Sequence, residues 1–411
     1  MYSLYSNDNR LNISERSLLK VKKSTSGDLT FVMIKLQNFE YLENYYKMKD
    51  FHTIFKMFMK RLKTYKDFFL DSFSIDNSKH VLVLNDSKSL DVIDSLVYNT
   101  LSQPYVKGSV ASQLQLKLSS YIAKDKNISF KEIITYLNRA LIEPNYNKYA
   151  NISEYTTKHE KVLVAKNSMV NLLVDIINGT SKSSIIIEYD PIINIENNRV
   201  SAFEALSRID STDYGMVFPK DFIALAESNG LINGLTPHIL KTAFSGYGDL
   251  KKKYSQIRLN INASPYELLD SSYVDILEYY RDKYSLTPME IGIEITETML
   301  FENRKAILQT ISRLSDLGYR IILDDFGAGF SSLSYLIELP LSEVKIDRKF
   351  ISQAAVNKDY EVFLTGVVFT IRSLNYSVVA EGVETIEQRD LIERVGAQEA
   401  QGFFFSKPQT Q

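Results

Sequence analysis

The second half of the chain alternates short apolar runs with longer segments in which apolar residues recur every three or four positions. Short apolar runs between turn residues predict buried strands, and the longer spacing predicts helices. The helices are expected at 219–229, 235–252, 271–284, 303–317, 359–375 and 385–395. Because strand and helix alternate throughout, the pattern implies a parallel sheet and favours a (βα)8 barrel.

Two adjacent carboxylates, Asp324 and Asp325, follow the apolar run 320–323 and precede a glycine-containing turn. Like charges at the end of a buried strand repel each other, and a divalent cation would relieve that repulsion. A solvated turn explains the pair better if it is considered alone. The choice between the two interpretations therefore depends on the rest of this half.

Further polar side chains stand at or near the ends of other predicted strands. They are Glu204, Arg208, Asn262, Glu294, Lys345, Glu381 and Gln401. Each one alone is explained by an edge-strand charge or a salt bridge. Charged groups are rarely buried without partners, however, and here they recur at the same place on successive strands. Since active sites of such barrels gather at the C-terminal ends of the strands, the pattern favours a single polar site.

The motifs around these residues occur in the order of a known family. They are Glu204-Ala205-Leu206, Asn262-Ala263-Ser264, Glu294-Ile295-Thr296-Glu297, Asp324-Asp325-Phe326-Gly327, Lys345-Ile346-Asp347, Glu381-Gly382-Val383-Glu384 and Gln401-Gly402-Phe403. From about residue 184 to 408 the chain resembles the EAL domain, the cyclic di-GMP phosphodiesterase family. The resemblance implies an α/β fold with a TIM-like (βα)8 barrel over 184–411, and hydrolysis of cyclic di-GMP to linear pGpG.

The resemblance also implies two divalent cations. Their ligands would be Glu204, Asn262, Glu294, Asp324, Asp325 and Glu381. Carboxylate and amide oxygens suit Mg²⁺ or Mn²⁺ better than zinc. Two neighbouring cations can activate a water molecule and neutralise charge on a phosphate, which is what phosphodiester hydrolysis needs.

Other roles follow from the same resemblance, and Glu204 and Glu381 are expected to act in catalysis as well as in metal binding. Lys345 would position the attacking water, or deprotonate it if the pKa of the lysine is lowered. Gln401 would order that water and contact substrate. Substrate contacts are also expected from Arg208, Leu206 and Asp190, and supporting roles from Glu297 and Asp347.

Two positions depart from the family pattern. Asp190, in Tyr189-Asp190-Pro191-Ile192, stands where the family usually has glutamine. A carboxylate there adds negative charge beside an anionic ligand, so it would weaken binding or recruit metal. Ala328 stands where the family usually has threonine, and we expect a modest effect from the lost hydroxyl.

The first half of the chain also alternates strand and helix. Strands are expected at 29–36, 68–75, 80–84 and 114–123, and helices at 39–65, 89–102 and 129–140. This order resembles a degenerate GGDEF domain over 1–154, followed by a mostly helical linker over 155–183. Asp76-Asn77-Ser78-Lys79-His80 replaces the family's signature, and Lys35 stands where its first strand supplies a metal-binding aspartate. We therefore expect a regulatory or dimerisation domain without cyclase activity, which retains at most a site for GTP or another nucleotide.

Composition is that of a globular protein, with 45% hydrophobic and 24% charged residues in 411. The chain has no cysteine, and no run of transmembrane length or signal peptide is found. We expect a cytoplasmic protein that does not insert into membranes. Residues 1–166 carry 25 Lys and Arg against 17 Asp and Glu, and the remainder 23 against 33. The lysines are scattered and no nucleic-acid motif is present, so no DNA partner is expected.

Two alternatives to an enzyme remain open. A cyclic di-GMP receptor would bind the ligand without cleaving it and signal to a protein partner, and Asp190 is the residue that most favours this reading. An inactive scaffold would have no reason to retain the full set of metal ligands. In either case, the family resemblance implies a homodimer formed through outer helices of the barrel near 331–339.

Overall fold

The computed structural model describes residues 28–410 apart from 47, 86–88, 108–109, 126, 143, 145–150, 297–298, 300–303, 328–334 and 407–408. The chain divides into two compact units, Met1–Ala165 and Lys166–Gln411. The domain boundaries inferred from the sequence, at 154 and 183, stay predictions. Within the described residues, no helix is both long and apolar enough to cross a bilayer.

The first unit is built on a five-stranded sheet. Its strands are β1 (Leu29–Leu36), β2 (Asp71–Ser74), β3 (Lys79–Leu84), β6 (Leu116–Ala123) and β7 (Ile152–Glu154), and a separate hairpin is formed by β4 (Tyr105–Lys107) and β5 (Val110–Ser112). The order in the sheet is β2-β3-β1-β6-β7, and only the β6–β7 pair is parallel. The central strand, β1, is apolar on both faces because helices cover both sides of the sheet.

The helices of this unit follow the sequence pattern closely. They are α1 (Phe39–Tyr45), α2 (Met48–Lys63), α3 (Ser89–Leu96), which continues as a π-turn (Val97–Leu101), and α4 (Phe130–Ile142); a short 3-10 turn lies at Lys66–Phe68. A further helix, α5 (Thr157–Ile177), begins in this unit and ends in the second. The helix predicted at 39–65 is divided into α1 and α2. The predicted strand pair is confirmed as the antiparallel hairpin β2–β3. In its turn, the Asp76 carboxylate accepts hydrogen bonds from the backbone N–H groups of Ser78 and Lys79.

The second unit is a closed eight-stranded barrel. Its strands are β8 (Ser184–Asn194), β9 (Arg199–Ser211), β11 (Arg258–Asn262), β12 (Ile291–Thr296), β13 (Arg320–Phe326), β14 (Glu343–Ile346), β15 (Ser377–Ala380) and β16 (Glu399–Ala400). They run in the order β9-β11-β12-β13-β14-β15-β16-β8, and the β8–β9 pair closes the barrel. Two short strands, β10 (Gly215–Val217) and β17 (Gln409–Thr410), pair outside it, on β9 and β8.

The barrel confirms the predicted fold class, but the expectation of a wholly parallel sheet is wrong for its first strand. Strand β8 is antiparallel to both β9 and β16. Only residues 195–198 separate β8 from β9. A parallel connection needs a crossover of about a dozen residues or more, so a turn this short enforces a hairpin.

Helices surround the barrel. They are α6 (Pro219–Ser228), α7 (Ile232–Lys253), α8 (Pro265–Leu269), α9 (Tyr273–Lys283), α10 (Arg304–Asp316), α11 (Tyr335–Glu338), α12 (Arg348–Val356), α13 (Lys358–Ser373) and α14 (Ile386–Val395), with a 3-10 turn at Pro288–Glu290. The six helices predicted from periodicity are confirmed within a few residues of their ends. The helices α8, α11 and α12 were not predicted, because they have five, four and nine residues and so too few turns to show a period.

Ionic side chains close the N-terminal end of the barrel. Glu343 is fully buried, and its Oε2 lies 3.3 Å from Nη2 of both Arg258 and Arg320. Arg258 Nη2 also lies 2.7 Å from Glu399 Oε2, and the Ser377 hydroxyl donates to Glu343 at 3.1 Å. These residues are the first of their strands, so the layer leaves only the opposite end of the barrel open.

We predict that Glu343→Ala lowers the free energy of unfolding by about 3 kcal/mol, because two partly buried arginines lose their shared partner. Urea unfolding followed by far-UV circular dichroism measures this change. Asp275→Ala is the matched control, since it breaks the exposed Arg313–Asp275 pair and should have a much smaller effect. Equal effects of the two substitutions would contradict a structural role for the buried layer.

Candidate active site

Lys345 lies at the centre of the polar cluster in the open end of the barrel. Its side chain is buried, and its Nζ lies 2.8 Å from Glu381 Oε1 and 3.0 Å from Glu204 Oε2. The same nitrogen lies 3.1 Å from Glu294 Oε1 and 3.4 Å from Asp324 Oδ1. The parallel register of β9 and β11 to β15 brings these side chains together from five strands.

The charges of this cluster shift the pKa values of its members. Burial lowers the pKa of Lys345, but the four carboxylates, led by Glu204, outweigh it and raise the pKa well above its ordinary range. Deprotonation of water by Lys345 was expected only if its pKa is lowered, and in this arrangement of the side chains the pKa is raised. One ammonium does not balance four carboxylates, so burial together with the neighbouring acids raises the pKa of Glu294 strongly and that of Glu381 to about 8.

The site favours the ionised form of Glu204. Burial opposes ionisation, but the charge of Lys345 and hydrogen bonds from Gln401, Lys345 and Asn262 give Glu204 a lowered pKa. Asn262 Nδ2 donates to Glu204 Oε1 at 3.1 Å, while Lys345 and Gln401 Nε2 donate to Oε2 at 3.0 and 2.9 Å. Because the amide nitrogen of Asn262 faces Glu204, its Oδ1 is the atom left to bind a cation.

A β-bulge changes the direction in which the side chains of Asp324 and Asp325 point. The register of β13 against β14 shifts between Leu323 and Phe326, and Asp325 has the left-handed φ of 56°. Neighbouring strand residues normally point to opposite faces, and a bulge changes that direction. As a result, carboxylate oxygens of Asp324, Asp325 and Glu381 lie within 4.8 Å of one another. Burial and the charge of Asp324 raise the pKa of Asp325.

The residues fit divalent cations. Glu294 Oε2 is buried and has no hydrogen-bond partner in the described part of the chain. A buried carboxylate oxygen without a donor favours a proton or a cation. The donor set around it consists of carboxylates and one amide oxygen, which is the set that Mg²⁺ and Mn²⁺ prefer.

Several predicted residues lie around the cluster instead of within it. Arg208 is buried, and its Nη2 pairs with Glu188 Oε2 at 2.8 Å. Leu206 is partly buried and lies opposite Glu188 in the β8–β9 register. The Asp347 carboxylate caps α12 by accepting from Lys349 N at 2.9 Å. Glu297 and Ala328 lie outside the described residues.

Asp190 and Gln401, by contrast, belong to the cluster. Gln401 Nε2 donates to Asp190 Oδ2 at 2.6 Å as well as to Glu204. Burial raises the pKa of Asp190 to about 6, although the hydrogen bond from Gln401 opposes the shift.

Sequence reasoning missed two polar residues. Asn260 is fully buried, and its Nδ2 donates to Glu294 Oε1 at 3.1 Å. The alternation Asn260-Ile261-Asn262 could have indicated it, because residues two apart on a strand share a face. Glu188 forms an ion pair with Arg208. This contact depends on the antiparallel register of β8 and β9, which the sequence analysis did not predict.

Comparison with known proteins identifies the family. The model of the EAL domain matches residues 174–408. MucR of Pseudomonas aeruginosa, a bifunctional diguanylate cyclase/cyclic di-GMP phosphodiesterase, is 32% identical over 240 residues, which are 58% of this chain and 35% of MucR. PdeB of Escherichia coli, a probable cyclic di-GMP phosphodiesterase, is 33% identical over 223 residues, which are 54% of this chain and 42% of PdeB.

Solved structures agree with this assignment. The structure of the PaMucR phosphodiesterase in complex with c-di-GMP is 31% identical, covers 59% of this chain and 97% of its own, and has a TM-score of 0.54. The EAL enzyme Bd1971, bound to cAMP and cyclic di-GMP, covers 93% of both chains with a TM-score of 0.56, but at 21% identity it supports only the fold. By the matched residues and by its site geometry, this chain belongs to the EAL domain family.

Proposed function

We propose that this protein hydrolyses cyclic di-GMP to linear pGpG with two divalent cations, Mg²⁺ or Mn²⁺. The observation that carries the proposal is the complete acidic cluster around Lys345 at the open end of the barrel. The functions named for MucR and PdeB support the same substrate. The chain spans 35% and 42% of those relatives, so the activity of the whole protein is a proposal.

The metal ligands divide into two overlapping sets. Glu204, Asn262, Glu294 and Asp324 would hold one cation, and Asp324, Asp325 and Glu381 the other. Such cations, when bound, lower the pKa of water and neutralise charge on phosphate oxygens. Because burial and neighbouring acids raise the pKa values of Glu294 and Glu381, protons compete with metal ions for these ligands.

Lys345 would position the attacking water, or deprotonate it once bound cations have neutralised the carboxylates that raise its pKa. While it is an ammonium, Lys345 only donates hydrogen bonds. A buried ammonium beside the reacting phosphate also stabilises the negative charge that develops during attack. Gln401 would help to order the same water, since its side chain shares Glu204 Oε2 with Lys345.

Arg208 and Leu206 would contact the substrate. Both alternate with Glu204 along β9, so they lie on the same face of the strand as the catalytic cluster. Glu188 fixes the orientation of the Arg208 guanidinium, which suits a phosphate oxygen. Leu206 would offer an apolar contact to the ligand.

A cyclic di-GMP receptor is the second candidate. Asp190 supports it, because a carboxylate beside Glu204 adds negative charge where an anionic ligand would bind. The complete ligand set favours hydrolysis, since a receptor does not need it. No observation favours an inactive scaffold.

We further propose that the N-terminal unit regulates or dimerises the barrel and has no cyclase activity. Lys35 lies in register between Lys79 and Lys117 on the neighbouring strands. Three ammonium groups side by side repel a divalent cation, which a cyclase site requires. Binding of GTP or another nucleotide to this unit stays a prediction, as do the cytoplasmic location and the absence of a DNA partner.

A homodimer is proposed through the outer helices of the barrel. On α13, Val362 and Phe369 are mostly exposed and stand on one stripe with Gly366 between them. Ile337 on α11, within the segment predicted for dimerisation, is also mostly exposed. Clustered apolar residues on a surface favour a protein interface.

The catalytic proposal is tested by incubating the purified protein with cyclic di-GMP and Mg²⁺ or Mn²⁺ and resolving pGpG by chromatography. We expect steady production of pGpG, and a loss of at least about 100-fold in kcat for Glu204→Ala and Lys345→Ala. Lys345→Ala should retain most metal binding in calorimetry, because lysine is not a ligand. Glu196→Ala, on the exposed β8–β9 turn, is the control.

Unchanged turnover in both site variants would refute the assignment of the site. Tight binding of cyclic di-GMP without pGpG would instead establish the receptor.

The dimer is tested by sedimentation velocity. We predict that Phe369→Glu converts a dimer to a monomer, because it places a charge in the apolar stripe of α13. Tyr279→Glu, which changes an exposed aromatic residue of α9, should leave the dimer intact. A monomeric unmodified protein, or a dimer that persists in Phe369→Glu, would argue against this interface.

A further inference from the structure

Asp190 and Glu204 form a cross-strand pair of carboxylates. They lie directly opposite each other in the antiparallel β8–β9 register, so their side chains project from the same face. Two like charges in this arrangement destabilise a sheet unless a donor lies between them. That donor is Gln401, whose Nε2 lies 2.6 Å from Asp190 Oδ2 and 2.9 Å from Glu204 Oε2.

The backbone holds Gln401 in place. Its N–H donates to Ala380 O at 2.9 Å, and its carbonyl accepts from Val383 N at 3.0 Å. The next residue, Gly402, has φ +148°, and a Cβ at that position would lie 2.4 Å from backbone atoms of Val383. The side chain of Gln401 therefore extends toward the two carboxylates from a fixed point.

The two carboxylates decide which way the amide of Gln401 faces. An ionised carboxylate only accepts hydrogen bonds, and an amide has two N–H donors on one side and an acceptor oxygen on the other. The reverse orientation would place Gln401 Oε1 against Asp190 and Glu204, both acceptors. The nitrogen must face them, and Oε1 then points away. In the described part of the protein this buried oxygen has no hydrogen-bond partner.

We propose that Asp190 is a positioning residue for Gln401. By accepting from Nε2, Asp190 keeps Oε1 of Gln401 available as a hydrogen-bond acceptor for a water molecule in the site. Glu204, which only accepts, keeps Nε2 of Gln401 on this side whatever residue stands at position 190. A neutral amide at position 190 completes this arrangement only when its carbonyl oxygen faces Nε2, whereas a carboxylate offers an acceptor in either orientation. The catalytic consequence rests on the proposed function, whereas the orientation of the amide does not.

Asp190 binds Gln401 through Oδ2, so a positioning role needs no metal at Asp190. Titration with Mn²⁺ distinguishes this role from metal binding by the other carboxylate oxygen. In the positioning role, Asp190 acts on the reaction through Gln401.

Kinetics test the positioning role with two variants that keep the branched shape of the aspartate side chain. Asp190→Leu removes the acceptor, and we expect kcat with Mn²⁺ to fall about 10- to 100-fold while KM for cyclic di-GMP changes less than about threefold. Asp190→Asn keeps a carbonyl oxygen for Gln401 Nε2 and should restore kcat to within about threefold of the unmodified protein. Calorimetric titration with Mn²⁺ alone should give the same affinity for all three.

Unmodified turnover in Asp190→Leu, or an equal loss of turnover in both variants, would overturn the proposal. A loss of Mn²⁺ affinity that parallels the loss in kcat would also overturn it, because Asp190 would then be a metal ligand. A rise in KM at constant kcat would also overturn it, because Oε1 would then contact the substrate and not the water.

A spectroscopic experiment decides the orientation even if the protein hydrolyses nothing. In protein labelled with ¹⁵N-glutamine, the side-chain amide of Gln401 is identified by its loss in Gln401→Met. We expect both of its protons to resonate downfield in the unmodified protein and in Asp190→Asn, and one to return upfield in Asp190→Leu. Identical Gln401 signals in the unmodified protein and Asp190→Leu would refute the positioning role, independently of the proposed reaction.

Discussion

The barrel depends on one electrostatic constraint, which is that Lys345 and its four acidic neighbours can be buried only together. An ammonium without partners would be too costly in the barrel interior, and so would four carboxylates without a cation. Contacts of 2.8 to 3.4 Å with the four carboxylates stabilise the ammonium of Lys345. They leave an excess of negative charge, which raises the pKa values of Glu294 and Glu381. The same imbalance that strains the cluster prepares it for divalent cations.

The two ends of the barrel differ in the balance of acidic and basic side chains. At the N-terminal end, two arginines meet two glutamates, so the charges of that layer balance and the end is closed. At the other end the acids outnumber the bases. The antiparallel first strand adds to this difference, because its register with β9 places Asp190 opposite Glu204. A wholly parallel barrel would not have created that pair.

Sequence reasoning found most of the longer strands, the long helices and most of the cluster, since strand-end polarity and periodicity are local properties of the chain. It could not find the features that depend on register. The direction of β8 follows from a turn of four residues, and the convergence of Asp324 and Asp325 follows from a bulge in β13. The pKa of Lys345 could not be inferred from the sequence for a related reason, because the number of carboxylates around it depends on five strands at once.

The central claim is that the acids around Lys345 bind divalent cations, and anomalous diffraction from crystals soaked in Mn²⁺ tests it most directly. We predict anomalous peaks at about 2 Å from oxygens of Glu204, Asn262, Glu294 and Asp324, and near Asp325 and Glu381. Anomalous peaks confined to other parts of the protein, with Lys345 still paired to all four carboxylates, would contradict the claim.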